Sequence, residues 1–168
     1  MAGSEFQDSY EDDERRARGA ILAEPISGLE PREPILLPPS ATLSEAVRAM
    51  NHRGTGCVCV VEGERLVGIF TERDLLKLTQ EELDPTRLAV GKVMTPDPAT
   101  LRPDDGIALA LNLMSVRGFR HIPVVDSENR PQGIVAMRDI VRFIVSLFPD
   151  SVENVPPDPR KIQEQYGG

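Results

Sequence analysis

An internal repeat constrains this chain more than any single residue does. Displacing the sequence by 64 positions lays Leu37, Pro39, Ala46, Met50, Arg53, Gly54, Val60 and Val61 onto Leu101, Pro103, Ala110, Met114, Arg117, Gly118, Val124 and Val125, eight identities in 25 positions. After one extra residue in the second copy's turn, a displacement of 65 lays Gly68, Ile69, Arg73 and Asp74 onto Gly133, Ile134, Arg138 and Asp139. Self-similarity at this period means that each copy is one supersecondary unit. Each copy is too short to bury a sizeable core alone, so the two are expected to pack face to face.

Local signals inside the copies agree. Thr42-Leu43-Ser44-Glu45 has capping-box spacing, Leu43, Ala46, Val47 and Met50 follow at helical spacing, and Gly54 stops the helix. Ile107, Ala110, Leu111 and Met114 repeat that pattern before Gly118. Cys57 to Val61, a turn at Glu62 to Arg65, and Leu66 to Phe70 read as a β-hairpin, whose counterpart runs from His121 to Val125 and from Gly133 to Val135. Each hairpin leads directly into a second amphipathic helix, from Glu72 to about Leu78 and from Met137 to about Leu147. The predicted fold is therefore α+β: two tandem units of strand, helix, strand, strand, helix, packed through their sheets with pseudo-two-fold symmetry.

The ends read differently from the middle. Residues 1–24 include the run Glu11 to Arg18, with four acids and three arginines, and are expected to be disordered. Residues 25–83 form the first repeat and residues 84–148 a linker followed by the second, the linker carrying Pro85, Gly91, Pro96 and Pro98. Residues 149–168 read as a proline-rich tail without a core of its own.

Composition narrows the function classes. A net charge of −8 argues against nucleic acid as a partner, because phosphate-backbone binding wants a basic field, although a local basic pocket stays open. No unbroken apolar run is longer than that of Cys57 to Val61, which is far short of the roughly 20 residues a membrane span needs. The charged stretch from Glu5 to Arg18 does not resemble a signal peptide, so a cytoplasmic location without membrane association is expected. Cys57 and Cys59 share one face of one strand with no second cysteine pair, which favours buried thiols over a metal site. No motif assembles a catalytic nucleophile with its base, no P-loop or dinucleotide fingerprint occurs, and neither histidine has metal-like company. The expectation is a protein without catalysis or a metal of its own.

The order of the units, the Arg53-Gly54 and Arg117-Gly118 helix ends, the His-Ile-Pro-Val-Val-Asp run from 121 to 126, and the Gly-Ile-Phe-Thr-Glu-Arg-Asp run from 68 to 74 resemble tandem cystathionine β-synthase (CBS) domains. The resemblance covers about residues 33 to 147. It implies a stand-alone regulatory module that binds AMP, ADP, ATP or S-adenosylmethionine in the cleft between its units and relays that to an unidentified effector protein. It also implies a homodimer built through the helices, for which Leu109, Leu113 and Ile140 to Phe143 offer apolar faces. The alternative is a constitutive oligomerisation or interaction module with vestigial clefts.

The motif can be read physically as well. Thr71 and the first N–H groups of the helix that follows it stand at the strand end, where unpaired donors and the helix dipole suit an anion. Asp74, one turn in, has two carboxylate oxygens that match the two hydroxyls of a ribose. Thr71-x-x-Asp74 equally fits a capping box with Asp in place of Glu. In the second copy Ala136 has no hydroxyl to cap with, yet Asp139 is present, which leans toward a ligand or interface role there. Carried over by position, the resemblance brings Arg120 and His121 to Thr71 and Asp74 as the nucleotide site. To Ala136, Asp139 and Arg138 it brings Gly56 and Cys57, a second and weaker cleft without a cation from that segment. A surface ion pair for Arg120 and a satisfied strand-edge role for His121 are the plain alternatives.

Overall fold

The computed structural model describes residues 19, 23–78 and 83–147. The segments expected to be disordered (up to residue 22, Gly19 apart) and to form a tail (149–168) lie outside these residues. Helix α1, Leu43–Arg53, starts with a complete capping box. The Glu45 N–H donates to Thr42 Oγ1 at 3.2 Å, and the Thr42 N–H donates to the Glu45 carboxylate at 2.7 Å. It stops at Gly54, whose φ of 59° is left-handed, and helix α3, Ile107–Arg117, stops at Gly118 with φ 69°. The second helix of each unit, α2 (Glu72–Leu78) and α4 (Met137–Leu147), follows its hairpin without a loop.

The first sheet has the order β1 (Leu36–Leu37), β2 (Cys57–Glu62), β3 (Arg65–Thr71), β4 (Thr95–Pro96), with β1 parallel to β2 and the other pairs antiparallel. The second is the hairpin of β5 (His121–Val125) and β6 (Pro131–Ala136). Matching bulges fall between Val60 and Val61 and between Val124 and Val125. Single bridges complete the symmetry: Leu101 pairs parallel with Val124, as β1 does with β2, and Arg32 pairs antiparallel with Ile134, as β4 does with β3. The two repeats thus exchange edges. The chain ahead of the first unit closes the sheet of the second, and the linker closes the sheet of the first.

The linker is therefore more than a spacer. Its Val90 is fully buried in the first core, Gly91 packs on Pro39, and Thr95–Pro96 covers the outer edge of β3, whose backbone groups would otherwise stand unpaired. Likewise Ile26, in a 3-10 turn (Ile26–Leu29), is buried in the core of the second repeat, with its N–H donating to the Asp105 carbonyl at 2.8 Å.

Alternation along the hairpin strands sorts their side chains between two cores. Val58, Val60 and Phe70 face the helices with Leu43, Ala46 and Met50, and Ile122, Val124 and Val135 do the same with Ile107, Ala110, Met114 and Ile140. Cys57, Cys59, Leu66, Ile69, Val125 and Ile134 form the layer between the repeats. Burying each such aliphatic side chain stabilises the fold by roughly 1.5–3 kcal/mol, so the face-to-face packing rests on this layer. The cysteines lie on one face, as the strand period requires, and are buried there. Of the residues expected on the outer helical faces, Leu109 and Val141 are exposed, Leu113 and Phe143 pack on the second core, and Ile140 is fully buried within it.

Candidate functional site: a cleft between the repeats

Each hairpin ladder runs one rung past its strands into the following helix. The Glu72 N–H donates to the Gly56 carbonyl and the Met137 N–H to the Arg120 carbonyl, both at 3.0 Å. Thr71 and Asp74 close a reciprocal box: the Thr71 N–H and hydroxyl donate to Asp74 Oδ2 at 3.1 and 2.8 Å, and the Asp74 N–H points at Thr71 Oγ1 at 3.4 Å. The helix-start donors expected to be free for an anion are thus partly taken by the protein, and Lys77 pairs with Asp74 Oδ1 at 3.0 Å.

The second copy keeps half of this box. Asp139 Oδ2 accepts the Ala136 N–H at 2.9 Å, while Oδ1 accepts Arg32 at 2.7 Å and lies 3.6 Å from Arg142. The repeated arginine has a clear structural part. Arg73 donates to the carbonyl of Gly118 at 3.0 Å and Arg138 to that of Gly54 at 3.4 Å, so each holds the end of the other repeat's first helix.

Beside Asp139 lies a cavity of about 130 Å³, walled by Arg32, Ile35, Arg53, Cys57, Ala136 and Asp139. A more open groove of about 580 Å³ runs between the starts of α2 and α4, past Glu72, Arg120 and Arg138. Cavity and groove share Thr55, His121, Ala136 and Arg138 as a common wall. Of the residues singled out from sequence, Asp139 lines the cavity, Arg120 the groove, and His121 and Arg138 both, whereas Thr71 and Asp74 line neither.

Sequence reasoning missed Arg32, Ile35, Arg53 and Thr55. The repeat had marked Arg53 without giving it a role. Nothing local marks Arg32, whose partner is 107 residues away. With these residues the Asp139 side is well supplied with cations, although the carried-over segment brings none. Arg32, Arg53, Arg120 and Arg138 outnumber the carboxylates of Glu33, Glu72 and Asp139 around the two spaces, a local positive excess in a chain of net charge −8.

His121 is half-buried, and burial pushes its imidazole below the ordinary histidine value against the pull of the Glu72 and Asp139 carboxylates, so the ring is neutral at pH 7. Burial raises the Cys57 thiol to about 11 and the Cys59 thiol to about 12, which makes both neutral buried groups rather than nucleophiles. Among the described residues no group of three or more His, Cys, Asp or Glu side chains is placed to hold a metal ion, and no helix is long and apolar enough to cross a membrane.

Two α+β units, related by a pseudo-two-fold axis and joined sheet to sheet over a shared cleft, define a tandem-repeat module. The family model for the CBS domain matches the chain twice, over residues 27–81 and 90–146, and the chain belongs to that family. It is similar to a 17.7 kDa protein from the bps2 3′ region of Acidianus ambivalens, 31% identical over 128 residues, which covers 75% of this chain and 76% of that one. It is also similar to the crystal structure of CBSX2 in complex with AMP, with a TM-score of 0.62 and 27% identity over 70% of this chain and 93% of that one. The CBS domain protein PAE2072 from Pyrobaculum aerophilum, complexed with AMP, shares the fold, with a TM-score of 0.65 and 23% identity over 73% of this chain and 99% of that one.

Proposed function

We propose that this chain is a non-catalytic regulatory module whose inter-repeat cleft binds an adenosyl ligand and passes that binding to an effector protein. The observation that carries the reading is the cavity beside Asp139, which side chains from both repeats close together. In this reading the adenine base lies against Ile35, Cys57 and Ile134, the ribose hydroxyls donate to Asp139, and phosphate extends into the groove toward His121, Arg120 and Arg138. AMP bound to CBSX2, at 27% identity, supports this ligand class. The local excess of guanidinium groups favours AMP, ADP or ATP over S-adenosylmethionine, whose sulfonium is itself a cation. The cleft of Thr71 and Asp74, which would share Arg120 and His121 with the first ligand, is the second ligand position in this proposal. A ligand touching both units shifts their mutual angle only through unequal affinity for the two arrangements, and that difference is the signal an effector reads.

One observation favours a constitutive interaction module with vestigial clefts instead: both aspartates already have partners within the protein. Calorimetry with AMP, ADP, ATP and S-adenosylmethionine separates the readings. Removing a charged hydrogen-bond acceptor costs about 1.5–3 kcal/mol, so Asp139→Ala is expected to weaken the tightest ligand by roughly ten- to a hundredfold. A loss confined to Asp74→Ala moves the principal site to the first repeat. Absence of binding by all four ligands leaves the interaction module.

A further inference from the structure

We infer that Arg32 is a resident competitor for Asp139 and makes that cavity selective for phosphorylated over unphosphorylated nucleosides, an inference that rests on the proposed adenosyl site. Both oxygens of Asp139 are engaged within the protein, Oδ2 by the Ala136 N–H at 2.9 Å and Oδ1 by the Arg32 guanidinium at 2.7 Å. The carboxylate is only 9% exposed, which strengthens this charge-assisted bond, while the Arg32 side chain is 39% exposed and keeps part of its hydration. A ribose hydroxyl that donates to Oδ1 competes there with the Arg32 guanidinium.

The displaced guanidinium cannot travel far. The Arg32 N–H donates to the Ile134 carbonyl at 3.1 Å and the Ile134 N–H to the Arg32 carbonyl at 2.8 Å, which pins the backbone to the edge of β6. Release is confined to the side chain, so the positive charge stays within an arginine side chain's reach of the cavity. A ligand with a phosphate brings a new anion for it, whereas a bare nucleoside breaks an ion pair and replaces only one partner. The arrangement belongs to one cleft alone. Thr95, which pairs with Ile69 as Arg32 pairs with Ile134, stands at the equivalent place and carries no charge, and Asp74 pairs instead with the exposed Lys77 of its own helix.

The test is calorimetry of the full chain with adenosine and with AMP, in wild type, Arg32→Met, which keeps the aliphatic stem, and Arg32→Gln. Thermal melts check that the variants fold. Both variants are expected to bind adenosine about tenfold more tightly than wild type and AMP no more tightly, so the preference for AMP falls by about tenfold or more. An unchanged ratio of the two affinities in both variants overturns the role of Arg32 and leaves the adenosyl site standing. If neither ligand binds wild type or either variant, the site and the selectivity fall together.

Discussion

At the scale of single residues, His121 joins the cavity to the groove and should register pH. Its folded-state value lies below the ordinary 6.5, chiefly through burial, so over the window just under about pH 6.5 the unfolded chain holds a proton that the folded chain does not. The stability tied to the neutral ring is therefore present above that window and lost as pH falls through it. The urea midpoint of the ligand-free protein is expected to drop between pH 7.5 and 5.5, and to drop less in His121→Gln. A difference between the two proteins that stays constant over that range would assign the titration elsewhere. Asp74 and Asp139 show how far residue-level reading reaches. The cap at Thr71 and Asp74 was legible because its partners lie three positions apart, while the ion pair at Asp139 has no local signature.

At the scale of elements, the exchanged edges explain why glycine stands at the same place in both hairpins. A Cβ on Gly133 would sit 2.6 Å from the Pro31 Cβ, and one on Gly68 would collide with the Met94 side chain. The edge segments lie so close over β6 and β3 that no side chain fits beneath them. A proline ring is rigid and a methionine can change rotamer. Gly133→Ala is accordingly expected to cost about 1–3 kcal/mol, the usual range for overpacking, and Gly68→Ala distinctly less. Chemical denaturation of the two variants decides it. Equal losses would mean that the segment at Pro31 yields as readily as the methionine.

At the scale of the whole molecule, the outer helical faces remain to be covered. Leu109 and Val116, seven positions apart on α3, are 43% and 70% exposed, and Val141 on α4 is 52% exposed. With Leu113, Ile140 and Phe143 turned into the core, these three carry the proposed homodimer contact. Sedimentation at micromolar concentration is expected to give twice the chain mass, and Val116→Glu to lower it toward the single chain. A wild-type monomer under those conditions would remove the dimer from the proposal and leave the cleft untouched.

The amino-acid order by itself determined everything whose physical cause lies within a few residues. The capping box at Thr42, the left-handed glycines ending α1 and α3, the period-two hairpins and the doubling of the unit all follow from hydrogen bonds and side-chain periods that close locally. The tertiary structure alone decided what crosses the pseudo-two-fold axis. It docked the linker as an edge strand, gave residues 26–32 to the second repeat, and seated Arg32 on Asp139. It also walled the cavity at the cleft that had looked the poorer in cations. Those contacts depend on how two finished units pack, and no short-range pattern in the chain encodes the distance between them.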